Sequence, residues 1–221
     1  MMKKKVLSFF LAFTLLLSVF GTMTVAFADE TLPEEPAQQV EVVKADQVIK
    51  VAEAVVLTVG KSGKVKASLT TGNGALTFIS SDEKVATVSK KGVVKAKSVG
   101  TATITVKAAE TEAFAAAEAT VTITVNPKAI VPTSLVCKKA GKFTIKWDKL
   151  KKVSGFEVRF AAKKSFKKAK VVKVKNPKAT SKTVKNLKHK TKYYVQIRVY
   201  KDVDGVRYYS DWSKTKMIKV K

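Results

Sequence analysis

From Val48 onward, hydrophobic and polar positions alternate in short runs, and most of the breaks between runs hold glycine, asparagine or aspartate. Successive side chains on a strand point to opposite faces, so runs of this kind predict half-buried β-strands. Val65, Ala67 and Leu69 fall on one face, followed by Leu76 and Phe78, the run Val85–Val88, and Val93 with Val94. Ala102, Ile104 and Val106 repeat the alternation. Further on, Phe143, Ile145 and Trp147 share one phase, as do Phe156, Val158 and Phe160, then Val172 and Val174, and lastly Ile218 and Val220. The most informative stretch is Leu187–Ser213. In it Tyr193, Val195, Ile197 and Val199 take one face, and Tyr194, Gln196, Arg198 and Tyr200 the other.

The turns have their own chemistry. Asp204-Gly205 supplies the positive φ that a two-residue hairpin demands, and Asn73-Gly74 gives a second hairpin signal. Leu187, six residues before Tyr193, sits where a chain crosses between two sheets and a tyrosine hydroxyl pins the crossover. No helix of useful length is expected. The alanine-rich Glu110–Glu118 reads as a single helical turn or a loose crossing loop between strands. Short strands at this spacing, with turn residues between them, predict an all-β chain of antiparallel sandwiches.

The amino end has a different pattern. Met1–Lys5 is a short basic start, Val6–Phe20 is apolar, and Ala26-Phe27-Ala28 forms an A-x-A cleavage site, so residues 1–28 read as a signal peptide. The alternative is an uncleaved anchor, because Val6–Ala28 holds no charge and is long enough to span a membrane. With cleavage the mature chain is exported, without membrane insertion. Residues 29–47, acidic and containing Pro33 and Pro36, read as a flexible spacer. One strand-rich domain is expected over 48–126 and another over 133–221, joined by a short, stiff linker at 127–132 within Asn126–Pro132.

Charge separates the two halves. Residues 29–132 carry 12 lysines and 12 acidic residues, whereas residues 133–221 carry 25 lysines, 3 arginines and 5 acids, a net of +23. The second domain is therefore a strong cation and calls for a polyanionic counterpart. With Cys137 as the single cysteine, no intrachain disulfide can form, and each domain relies on its core.

Two resemblances cover nearly all of the mature chain. The strings LTVGKSGKVKASL, FISSDEKVATVSKKGVVKAKSVGTATITV and ATVTITV resemble a bacterial immunoglobulin-like domain of group 2, over residues 50–126. Phe78 stands where that family usually has tryptophan, which keeps an aromatic core residue. The strings FTIKW, GFEVRF, LKHKTKYYVQIRV and YSDWSK resemble a fibronectin type III domain of the lysine-rich kind found in exported bacterial proteins. His189 and Lys190 replace its customary Pro-Gly, which loosens that turn. The resemblance implies tandem β-sandwiches in a secreted or cell-surface protein.

Chemistry for catalysis is sparse. His189 and Cys137 are a formal base and nucleophile, but no third orienting residue accompanies them, and a surface turn explains the histidine. The fibronectin-like domain lacks a zinc ligand set, and Asp202-Val203-Asp204-Gly205 lacks the remaining ligands of a calcium loop. No cofactor, metal site or enzyme activity is expected. Trp147 belongs to the core by alternation; Trp212 reads as a structural tryptophan with cations stacked on it, or else as a carbohydrate platform.

The lysines matter most. In a fibronectin-like sandwich, the strands bearing Arg159, then Tyr194, Arg198 and Tyr200, then Lys219 and Lys221 are neighbours, with Lys173 and Lys175 extending them. Their outward residues predict a basic face that tracks a polyanion by displacing its counterions. The expectation is non-catalytic adhesion or attachment to an anionic cell-wall polymer or a sulfated or acidic glycan. Two alternatives stand beside it: a passive accessory module docking a protein partner in an exported assembly, and nonspecific binding of extracellular nucleic acid.

Overall fold

The computed structural model describes residues 43–221; the expected signal peptide and most of the acidic spacer lie outside them. The described residues belong to one compact unit and are all-β, with no helix among them. The first sandwich contains β1 (Val48–Val51), β2 (Ala54–Thr58), β3 (Ser62–Lys64), β4 (Ala67–Thr71), β5 (Leu76–Ser80), β6 (Ala86–Val88), β7 (Val93–Ala96), β8 (Gly100–Ala108) and β9 (Ala117–Asn126). One sheet runs β2-β9-β8-β5, a second runs β3-β7-β6, and β1 pairs with β4. All pairings are antiparallel except β2 with β9, whose register is Ala54↔Thr122 through Thr58↔Asn126. Val65, Ile104, Val106, Val121, Ile123 and Val125 are fully buried between the layers, with Phe78 packed against them. The alanine-rich stretch from Glu110 is a loop as far as Ala116, and β9 begins at Ala117. Thr111 holds the bend of this loop, its hydroxyl accepting the Phe114 amide at 3.2 Å.

Asn73-Gly74 does not close a hairpin. β4 pairs with β1 and β5 with β8, so the chain crosses between layers at this point. Gly74 is required by close approach, because a Cβ there would lie 2.1 Å from the Ala109 carbonyl oxygen. The spacer reading is also corrected over residues 45–47. Ala45 bridges to Phe114, and Gln47 is buried, its Nε2 donating to the carbonyls of Ala109 and Ala115 while its Oε1 accepts from the Gly74 amide, each at 2.8 Å. One side chain thus satisfies three backbone groups that strand pairing leaves over.

The second sandwich contains β10 (Pro132–Val136), β11 (Phe143–Trp147), β12 (Gly155–Ala161), β13 (Lys170–Val174), β14 (Ser181–Val184), β15 (Lys192–Val203), β16 (Val206–Tyr209) and β17 (Lys216–Lys219). One sheet is β10-β11-β14; the other is β13-β12-β15-β16, with β17 also on β15. The inward phase is the expected one: Phe143, Ile145, Trp147, Phe156, Val158, Val195, Ile197 and Val199 are all buried. Phe143 meets Phe160 edge-on at 5.9 Å and Trp147 meets Phe156 at 5.0 Å, geometries that aromatic quadrupoles favour. Asp204 and Gly205 both have positive φ (48° and 78°), closing the two-residue hairpin between Val203 and Val206. The tyrosine crossover is present as well. Tyr193 Oη accepts the Lys188 amide at 3.1 Å, and Leu187 is buried beneath it.

Replacing Gln47 with leucine leaves a buried amide and two carbonyls without partners, and should cost about 3 kcal/mol. Tyr193→Phe should cost about 1 kcal/mol. Urea-unfolding midpoints of the two variants, compared with the parent at constant m-value, check both and their order.

Candidate functional site

The outer face of the β13-β12-β15-β16 sheet carries the side chains that the sequence singled out. Register places Lys173, Glu157 and Arg198 in one row across β13, β12 and β15, and Val171, Arg159 and Gln196 in the next. Tyr194 lies opposite Met217, and Lys192 opposite Lys219. The fold therefore brings Arg159, Lys173, Tyr194, Arg198 and Lys219 onto one sheet, with Lys175 and Lys221 just past the ends of β13 and β17. Tyr200 departs from the expectation of an outward, accessible ring: it is 3% exposed. The β16 return strand explains the difference, since Arg207 stacks over the Tyr200 ring at 4.2 Å and Tyr209 lies beside it. Burial raises the Tyr200 pKa above its ordinary value.

At the centre of the face, cations and aromatics alternate. Arg159 Cζ sits 4.4 Å from the Phe166 ring and 4.3 Å from the Trp212 ring. Arg198 Cζ sits 4.4 Å from Trp212 and 3.8 Å from Tyr209. A planar guanidinium accepts a ring on both of its faces, which an ammonium cannot do. Polar contacts hold the stack in place. Arg198 Nε and an Nη donate to one carboxylate oxygen of Glu157, at 2.9 and 2.7 Å, and Glu157 is 3% exposed. Arg159 Nε donates to Gln196 Oε1 at 2.6 Å, and Gln196 Nε2 donates to Thr215. Burial, with the neighbouring Arg198 adding to it, lowers the Arg159 pKa.

Trp212 reaches this position because of two serines. Between β16 and β17 the chain runs along β15 without forming a strand, and Ser210 and Ser213 are buried against it. The Val199 amide donates to Ser210 Oγ at 3.0 Å and the Ile197 amide to Ser213 Oγ at 3.1 Å. The backbone amides of Ser210 and Ser213 donate in turn to the carbonyls of Val199 and Ile197. Phe166, Arg207, Tyr209 and the two serines escaped the sequence reading. The Y-S-D-W-S spacing, with a serine on each side of the Asp211-Trp212 pair, is the signal that could have found the last three.

At the hairpin tip, Arg207 Nε and an Nη donate to the two oxygens of Asp202, at 2.6 and 2.9 Å. This bond lowers the Asp202 pKa and raises that of Arg207. His189 is exposed on its turn. Cys137 Sγ accepts the Lys221 amide at 3.3 Å, tying the carboxyl end to the strand end of β10. Among the described residues no three of His, Cys, Asp and Glu converge as metal ligands, and no helix is long and apolar enough to cross a membrane.

Family models match both halves in the order expected. Residues 36–119 match the bacterial Ig-like domain (group 2), and residues 131–216 match the fibronectin type III domain. The chain is thus a tandem of two β-sandwich domains, one from each of these families. Domains of both kinds are common in surface and extracellular proteins and typically serve as non-catalytic binding or structural modules. No curated protein matches the chain. Among solved structures, the chain is similar to the FN1-FN3 domains of chicken CNTN1, at 16% identity over 80% of this chain and 68% of that one, with a TM-score of 0.38. It is also similar to one described as "Myokine structure", at 22% identity over 43% of this chain and 98% of the other, with a TM-score of 0.36. The third fibronectin III domain of human KIAA0343 protein is 13% identical over 42% of this chain and 83% of its own, with a TM-score of 0.34.

Two outcomes follow from the stack. Arg198→Ala leaves the buried Glu157 carboxylate without its cation and should destabilise the domain by about 3 kcal/mol, measured by urea unfolding. The Asp202–Arg207 bond gives a pH signature. A depressed carboxylate pKa contributes stability above the unfolded value, near 4, and loses it as pH falls through the folded value. The melting-temperature difference between the parent and Asp202→Asn should therefore be present at neutral pH and shrink as pH falls below the ordinary aspartate value of about 4.

Proposed function

We propose that the chain is a non-catalytic, exported attachment module whose second sandwich rests on an anionic polymer of the cell wall or an acidic glycan. The observation that carries this reading is how the charge is used. Among the described residues, the ion pairs of the second sandwich are Arg198–Glu157 and Arg207–Asp202, and no lysine takes part in either. Its 25 lysines therefore keep their charge available, with only 5 acids in the same stretch. Lys173, Lys175, Lys219 and Lys221 are exposed around the rim of the outer face, and the arginine stack at its centre is hydrogen-bonded and partly neutralised. The outer sheet, with lysines at its borders, suits a flexible chain of phosphates or sulfates better than a single small anion. Lysine ammoniums act as point charges, so affinity would come from counterion release and not from a fixed fork geometry. The first sandwich, in the stretch 29–132 where 12 lysines and 12 acids cancel, would act as a spacer.

Binding of the mature chain to a glycerol-phosphate polymer and to heparin should weaken linearly in log affinity against log salt. Replacing Lys173, Lys175, Lys219 and Lys221 with glutamine should shallow that slope by up to about 3 on the phosphate polymer. Salt-insensitive retention on these polymers, or an unchanged slope in the fourfold variant, removes the outer face as the contact. Duplex DNA should bind with the same salt dependence and no sequence preference.

A further inference from the structure

Where the linker leaves β9, the surface folds into a cavity of about 380 Å³, within the range of small-ligand sites. Its floor is apolar, made by Val59, Val99, Pro127, Leu150 and Val153. Its walls carry Lys97, Lys128, Lys151, Lys152 and Lys201. Ser98 is the one other polar residue in the lining, and no aspartate or glutamate belongs to it. None of the five lysines takes part in an ion pair among the described residues. Like charges gathered around a low-dielectric concavity repel one another and raise the potential inside it, so the arrangement favours entry of an anion.

The backbone of one wall is tied to β15. Lys152 has a φ of 58°, an uncommon conformation for a residue with a side chain. In the turn after it the Ser154 amide donates to the Tyr200 carbonyl and Ser154 Oγ accepts the Asp202 amide. On the opposite side the Lys128 side chain lies over Gly60, where a Cβ would stand 3.5 Å from its Nζ. Lysines from the first sandwich, the linker and the second sandwich thus share one concavity.

We propose that this cleft binds a small amphiphilic anion, with an aliphatic body on the apolar floor and a carboxylate or phosphate head among the lysines. A hydrated polymer finds no match for that floor, so the site is separate from the outer sheet face and does not rest on the attachment reading. Titration of the mature chain with octyl phosphate, octanoate and octanol, followed by calorimetry below micelle-forming concentrations, tests it. One of the two anions should bind saturably at one per chain and at least ten-fold more tightly than octanol, and the preferred anion names the head group. Inorganic phosphate at the same concentration should not displace it. Lys128→Gln with Lys152→Gln should weaken binding at least ten-fold, whereas Lys173→Gln with Lys175→Gln should leave it unchanged. Both pairs are exposed, so the fold is retained for the comparison. Equal affinity for octanol, full displacement by inorganic phosphate, absence of saturable binding, or no effect of the Lys128 and Lys152 changes would each overturn the proposal.

Discussion

The middle of β15 has a strand on one side only. β12 covers one edge continuously, but on the other edge β17 pairs with the beginning of the strand and β16 with its end. The amides of Ile197 and Val199 fall in the gap, in the centre of a sheet whose inner face is core. Unpaired amides there would be costly, and an open edge invites pairing with another chain. Ser210 and Ser213 resolve both problems by presenting hydroxyl and backbone groups where a strand would have presented backbone alone. The segment between the serines has to follow β15 closely, and that path lays Trp212 between Arg159 and Arg198. The closure of a sheet edge and the order of the outer face are one arrangement.

This arrangement divides labour between the two kinds of cation. All three arginines of the chain lie in the stack or at its hairpin end, and among the described residues both ion pairs of the domain belong to them. The lysines, which dominate the composition, lie outside the stack, on loops, sheet borders and strand positions such as Lys146 and Lys182. Arginine is suited to the first task because its plane can be covered on both sides and still keep its in-plane N–H groups bonded. Lysine is suited to the second because its compact charge stays hydrated and mobile. With a single cysteine in the chain, no crosslink is available to do what the stack does.

Sequence pattern revealed most of the fold, because it depends on period-two burial and on turns whose chemistry is local. The phases of Phe143–Trp147 and Tyr193–Val199 needed no knowledge of partners, nor did Asp204-Gly205, whose conformation is set by its own residues. Asn73-Gly74 looked equally local, but the glycine answers to a carbonyl 35 residues away, and a turn signal carries no trace of that. Gln47 was hidden in the same way, as a polar residue following an acidic stretch with nothing to mark its three backbone partners. On the outer face, alternation placed Tyr200 on the correct side of its strand but could not show that the returning strand would cover it. Phe166 and Trp212 are 46 positions apart, and only the fold makes them neighbours of one guanidinium.

The parallel pairing of β2 with β9 has a mechanical side. β2 lies early in the first sandwich and β9 is its last strand, and they run in the same direction with five residues in register. Tension applied through the two ends of this domain would drag these strands lengthwise past each other, loading their hydrogen bonds together instead of peeling them one at a time. A domain laced in this way meets extension along the chain with five residues of parallel pairing at once.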